Sequence, residues 1–175
     1  MNRRLIVIDM QNDFVSGNLG SEAAADILPK VEERVESFDG EVLFTKDTHD
    51  ADYLNTQEGK KLPVAHCIRG SEGWMLAGKL EELAEKSGAA ICEKETFGSL
   101  QLGERLMEEN RIEPIDSIEL MGVCTDICVI SNAMILKACL PETEIIVNAS
   151  CCAGVTAKSH ENALDAMRAC QITVV

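Results

Sequence analysis

A chain of 175 residues with 46% apolar and 26% charged residues has material for one sizeable core, predicting a single domain over residues 1–175. Its formal net charge of −14 opposes binding to nucleic acid or an anionic membrane, and no apolar run approaches the roughly 20 residues of a membrane span. Eight cysteines without a preceding secretory signal predict reduced thiols in a cytoplasmic protein; the vicinal pair Cys151-Cys152 and the lack of any C-x-x-C pair oppose disulfides and thiolate-bound structural zinc.

Strand-like and helix-like patterns then alternate. Arg4–Asp9 is β-rich, and Ala23–Phe38 has helical spacing with Ile27, Leu28, Val31 and Val35 on one face. Glu41–Thr45 reads as a second strand. Asp47–Trp74 has no sustained periodicity, and a loop of that length is usually functional or disordered; its His, Asp, Trp and Cys content favours function. A helix over Met75–Lys86, a strand over Ala89–Glu93 and a helix over Leu100–Glu109 follow. The strand Ser117–Met121 stops at Gly122, and Thr125 and Asp126 supply helix-start chemistry for a helix through Ala138. Glu144–Asn148, a helix over Ala157–Cys170 and a terminal strand Gln171–Val175 complete the chain. Six short strands alternating with helices predict an α/β fold with a mainly parallel sheet covered on both faces.

In such sheets, sites form at the carboxyl ends of the strands. Asp9, Asp47, Lys94 and the Cys124–Cys128 turn all fall at or just beyond those ends. A cysteine in the first turn of a helix meets free backbone N–H groups and the positive end of the dipole, which lower a thiol's pKa and can hold an oxyanion. Local physics does not choose between Cys124 and Cys128, and a free cysteine is also an ordinary core residue. Asp9, at the end of Leu5-Ile6-Val7-Ile8, is partly desolvated and suited to proton transfer; Lys94, near a thiol, would favour thiolate. Asp47, His49 and His66 form a common ligand set for zinc and neighbouring divalent ions. Phe14 and Trp74, in a chain of only 3% aromatics, are core anchors or the walls of an apolar pocket. His160, on the last helix, reads as bland.

With these residues assembled, the chain resembles the isochorismatase-like cysteine hydrolase superfamily, which includes nicotinamidases. The resemblance rests on Leu5-Ile6-Val7-Ile8-Asp9-Met10-Gln11-Asn12-Asp13-Phe14, on Lys94-Glu95-Thr96-Phe97-Gly98-Ser99, and on Gly122-Val123-Cys124-Thr125-Asp126-Ile127-Cys128-Val129, in that order and spacing. It implies a Rossmann-like three-layer α/β/α fold with a six-stranded sheet and a Cys–Asp–Lys triad of Cys128, Asp9 and Lys94. Cys128 matches the nucleophile, and Cys124 an oxyanion-hole position beside a cis peptide after Val123. The implied chemistry passes through a thioester of Cys128, with the backbone N–H groups of Cys124 and Cys128 on the oxyanion. The loop resembles the nicotinamidase branch, in which Asp47, His49 and His66 match the ligands of a divalent metal (zinc, with iron and manganese as alternatives) and Phe14 matches a ring-stacking position. Thr48, Asp50 and Tyr53 depart from the Trp, Pro and His of that branch, and Trp74 stands where it more often has a small residue. These differences bear on the substrate pocket, to which Phe14, Tyr53 and Trp74 are assigned, and leave the triad intact.

The reading implied is an amidase releasing ammonia from nicotinamide or a similar heteroaromatic amide, in a protein that forms homo-oligomers as its family commonly does. Two alternatives are a hydrolase of another small carbamoyl or ureido compound with a structural metal, and a non-catalytic binding or thiol-sensing protein. The intact Cys128 argues against isochorismatase itself, whose vinyl-ether chemistry needs no thiol.

Overall fold

The computed structural model describes residues 1–175. Its strands are β1 (Arg3–Ile8), β2 (Glu41–Asp47), β3 (Ala90–Lys94), β4 (Ser117–Val123), β5 (Glu144–Ala153) and β6 (Thr173–Val174). Its helices are α1 (Asn12–Val15), α2 (Glu22–Ser37), α3 (Gln57–Lys61), α4 (Leu80–Ser87), α5 (Leu100–Ile112), α6 (Ile130–Cys139) and α7 (Ala157–Ala169). The strands form one six-stranded sheet in the order β3-β2-β1-β4-β5-β6, every pair parallel. Parallel neighbours need crossovers, and these put α2 and α4 over one face and α5, α6 and α7 over the other. No helix is long and apolar enough to cross a membrane.

The central strands are buried on both sides. Leu5, Ile6, Val7 and Ile8 of β1 and Ile118, Leu120 and Met121 of β4 carry no exposed surface, which is why they read as continuous apolar runs. On α2, Ala24, Ile27, Val31 and Val35 recur at helical spacing and are the buried face; Ser21 accepts the Ala24 N–H and starts the helix. One charged pair enters this interface: Arg34 of α2 donates to Glu119 of β4 at 2.9 and 2.5 Å.

The elements differ from the sequence expectation where tertiary pairing decides. Four residues after β1 form α1, and Met75–Ala77, expected to be helical, instead run back along that segment: Leu76 bridges Gln11, and the Ala77 N–H donates to the Met10 carbonyl at 2.8 Å. The helix therefore begins at Leu80. The segment after Asp47 is not structureless; it contains α3 and single 3₁₀ turns at Tyr53–Asn55 and Glu72–Trp74. Lys94 is the last residue of β3 rather than the residue after it. β5 runs to Ala153, past a register shift opposite Leu120–Gly122, and so includes Cys151 and Cys152. β4 continues through Gly122 because glycine suits that point: its φ is +121°, and a Cβ there would lie 2.1 Å from the Ile8 carbonyl oxygen.

Candidate active site

The strand order reverses between β1 and β4, and a crevice opens beyond their carboxyl ends. Asp9 follows β1 with φ +48°, a left-handed conformation that aspartate tolerates better than most residues. Beside it, Cys124–Val129 forms the turn into α6. The Val129 N–H bonds the Cys124 carbonyl five residues back, at 3.1 Å, so this turn is wider than an α-helical one. Thr125 and Asp126 do not cap it, contrary to expectation. Thr125 Oγ1 lies 2.8 Å from His160 Nδ1, and Asp126 Oδ1 accepts the Val155 N–H at 3.0 Å. Both side chains thus brace the turn against the β5–α7 connection, and His160 is a partner of this turn rather than a bystander.

Lys94 stands at the centre. Its Nζ lies 2.6 Å from Asp9 Oδ2, 3.4 Å from Asp47 Oδ1 and 3.7 Å from Cys128 Sγ. Thr45, on the neighbouring β2, donates its hydroxyl to Asp9 Oδ1 at 2.6 Å and accepts the Asp9 N–H at 3.1 Å. Burial pushes the Asp9 carboxyl above its ordinary value, and Lys94 only partly offsets this. Burial would discharge Lys94, but the adjacent carboxylates and Cys128 outweigh it and hold the ammonium charged. The thiol corrects an expectation. Burial and the neighbouring Asp9 push Cys128 well above the usual thiol value, and Lys94 offsets only part of that. Cys124, half-buried beside it, is pushed up to about 12, by burial first and then by Asp126.

Asp47, His49 and His66 converge from β2 and the following loop, their ligating atoms all within 4.8 Å of one another. Asp47 Oδ2 lies 3.0 Å from His49 Nε2 and 3.5 Å from His66 Nε2. His66 Nδ1 donates to the Val64 carbonyl at 2.8 Å, which orients the ring with Nε2 facing the same point. Gln11 fixes the Asp47 backbone from both sides, donating to its carbonyl and accepting its N–H, each at 2.8 Å. Glu58, from α3, brings Oε1 to 3.8 and 3.9 Å from the two Nε2 atoms. One carboxylate, two oriented imidazoles and a second carboxylate within reach suit zinc or a neighbouring divalent ion. Burial raises Asp47, but hydrogen bonds to both histidines and the Lys94 charge outweigh it and keep the carboxylate ionised, as a ligand must be.

Cys128, Cys124, Asp47, Glu58, His66 and Phe14 line one cavity of about 500 Å³, whose remaining wall is mainly apolar and includes Leu19, Leu62, Phe97, Ile127 and Val155. Tyr53 and Trp74, expected in that wall, are not part of it. Tyr53 is buried behind the histidines, its ring centroid 4.6 Å from His49 and 4.9 Å from His66, and its hydroxyl donates to the Leu62 carbonyl. The Trp74 indole N–H donates to Thr48 Oγ1 at 2.8 Å, and its ring carries the Lys46 ammonium at 4.2 Å. Sequence reading passed over Thr45, Gln11 and Glu58. Gln11 stood inside the first motif; Thr45 and Glu58 gave no signal, since only the pairing of β1 with β2 and the fold of the loop bring them in.

A parallel sheet whose switch point holds a buried thiol, a carboxylate and an ammonium beside an apolar cavity is an α/β fold with a candidate active site at that point. The sequence matches the isochorismatase domain over residues 4–175, and the chain belongs to that family. It is similar to the nicotinamidase/pyrazinamidase PncA of Bacillus subtilis, whose crystal structure is 30% identical, superposes with a TM-score of 0.84 and covers all of both chains. The pyrazinamidase of Pyrococcus horikoshii, solved in complex with zinc, is 25% identical with a TM-score of 0.83, covering 100% of this chain and 99% of that one. The nicotinamidase/pyrazinamidase of Mycobacterium tuberculosis is 27% identical over 99% of this chain and 98% of its own length.

Proposed function

We propose that this enzyme is an amidohydrolase that cleaves nicotinamide, or a heteroaromatic amide of similar size, to the carboxylic acid and ammonia through Cys128. The observation that carries the reading is the arrangement at the cavity: Cys128, Asp47, His66 and Phe14 on its wall, Lys94 against the thiol and Asp9 against Lys94, and His49 completing the cluster with Asp47 and His66. The likeness to nicotinamidases of two bacteria supports it.

In this reading Asp9 takes the proton from Cys128 as the sulfur attacks the amide carbonyl. A carboxyl pushed up by burial is a stronger base than a solvated one, which suits it to take a thiol's proton. Lys94 stabilises the sulfur's developing negative charge from 3.7 Å. The backbone N–H groups of Cys124 and Cys128 hold the tetrahedral oxyanion. Asp9 then returns the proton to the departing nitrogen, which leaves as ammonia, and a thioester remains on Cys128. Water, deprotonated by Asp9, cleaves that thioester and releases the acid and the free thiol. A divalent cation held by Asp47, His49 and His66, with Glu58 as a further carboxylate, would supply a Lewis-acid contact for a ring nitrogen of the substrate. Phe14 and the apolar wall bind the ring and exclude water.

The test is ammonia release from nicotinamide and a panel of small amides by metal-loaded and chelator-treated protein, beside Cys128→Ala. Turnover of nicotinamide that is lost in the variant, and reduced by chelation, supports the whole reading. Turnover of a different amide through Cys128 would keep the thiol chemistry and move the substrate. Activity undiminished in Cys128→Ala would overturn the nucleophile assignment.

A further inference from the structure

The thiol is carried by the β4–α6 turn, and the ammonium by the last residue of β3, from which the β3–α5 loop departs. One side chain ties them together. Asn132, in the first turn of α6, is 1% exposed. Its Nδ2 donates to the Cys128 carbonyl at 2.8 Å and to the Phe97 carbonyl at 3.1 Å, while its Oδ1 accepts the Ser99 N–H at 3.0 Å. An amide bonded to the carbonyl of one residue and the N–H of the second residue on reproduces the pairing a neighbouring strand would make. It holds Phe97–Ser99 against α6 as a strand pair would.

That loop has fixed points on both sides of the clamp. Lys94 ends β3, and Ser99 starts α5 by accepting the Leu102 N–H at 3.1 Å. Gly98 permits close approach to α6, since a Cβ there would lie 2.5 Å from Ile135 Cδ1. Phe97 itself lines the cavity. Apart from Lys94, Asn132 is the side chain that hydrogen-bonds both stretches.

We propose that Asn132 is a positioning residue: its three hydrogen bonds fix the approach of the lysine loop to the thiol turn, and with it the Nζ–Sγ separation and the Phe97 wall. The inference rests on Cys128 being the nucleophile. It explains why a polar amide is fully buried in a helix whose other inward residues, Ala133 and Leu136, are apolar.

Two substitutions separate the bonds. Asn132→Asp keeps the shape and the acceptor for Ser99 but sets a carboxylate oxygen against two carbonyls. Asn132→Ser keeps a donor for the carbonyl one turn back and does not span to the loop. The measurements are kcat and KM on the amide turned over, and the rate at which iodoacetamide alkylates Cys128 at fixed pH. They are set beside thermal melting of each variant and beside Cys128→Ala. A misplacement of reacting groups predicts that kcat and alkylation fall together, by about 10- to 100-fold in Asn132→Asp and less in Asn132→Ser, while KM changes by less than about twofold. A purely structural role would lower the melting temperature and leave kcat of the folded enzyme unchanged. Folded variants with kcat and alkylation within about twofold of the parent would overturn the proposal; Asn132→Ser decides it if Asn132→Asp does not fold. Failure of the underlying reading looks different, because Cys128→Ala would then remain active.

Discussion

Replacing Asp9 by Asn tests the thiol chemistry with almost no change in shape. The Thr45 hydroxyl still donates to the side-chain oxygen, from 2.6 Å in the parent, so the position of the group is kept. Two things are lost. The amide cannot accept the Cys128 proton, and a general base is worth about 10²–10⁴ in rate. The Lys94 ammonium also loses its partner at 2.6 Å and keeps Asp47 at 3.4 Å. Removing one side of a buried ion pair costs about 3–5 kcal/mol, and the surviving Asp47 contact puts the expected loss at or below the lower end of that range. The two effects are read separately, by urea unfolding and by steady-state ammonia release from protein shown to be folded. The expected result is a kcat lowered at least about 100-fold with a modest loss of stability. A pH signature accompanies the loss: activity that needs ionised Asp9 rises as pH climbs through its raised pKa, and the variant's residual activity lacks that limb. An Asp9→Asn enzyme retaining more than about a tenth of the parent kcat would refute Asp9 as the proton acceptor.

Three other substitutions probe the frame. Burial raises the Glu119 carboxyl, but Arg34 and Asn148 outweigh it and hold the group below its ordinary value of 4.5, so its stabilising contribution is present above the unfolded-state pKa and lost as pH falls through the lower folded-state one. Glu119→Gln therefore unfolds about 1–3 kcal/mol more easily at pH 7, and denaturant titrations at decreasing pH should show the difference shrinking below about pH 4. Gly122→Ala forces a Cβ to 2.1 Å from the Ile8 carbonyl oxygen at φ +121°, and expression and melting should show a severely destabilised or unfolded protein. Trp74→Phe loses the hydrogen bond to Thr48 and about 1 kcal/mol of stability, yet leaves KM nearly unchanged, because the indole lies outside the cavity; a large rise in KM would place Trp74 in the substrate's path.

The sheet and its covering helices are legible in the residues alone. Runs such as Leu5–Ile8 and the spacing of Ile27, Val31 and Val35 are local consequences of burial, and they are visible wherever a strand or helix turns one or both faces to the core. The sequence also puts Asp9, Lys94 and the cysteine turn at strand ends, since the rule for parallel sheets needs only the order of elements.

Features that depend on partners distant in the chain emerge only from the folded arrangement. Met75–Ala77 has helical composition but pairs with Met10 and Gln11 some sixty residues earlier, so a long-range bridge overrides a local preference. Burial beside Asp9 pushes the Cys128 thiol up, against the lowering that a helix start alone would give. Tyr53 and Trp74 left the pocket for a layer behind it, where their rings pack against His49, His66 and Lys46. Thr45, Glu58 and Asn132 carry no pattern of their own. Thr45 and Asn132 join the site through hydrogen bonds to residues 36 and 33 positions away, and Glu58 through the fold of the loop that also carries His66.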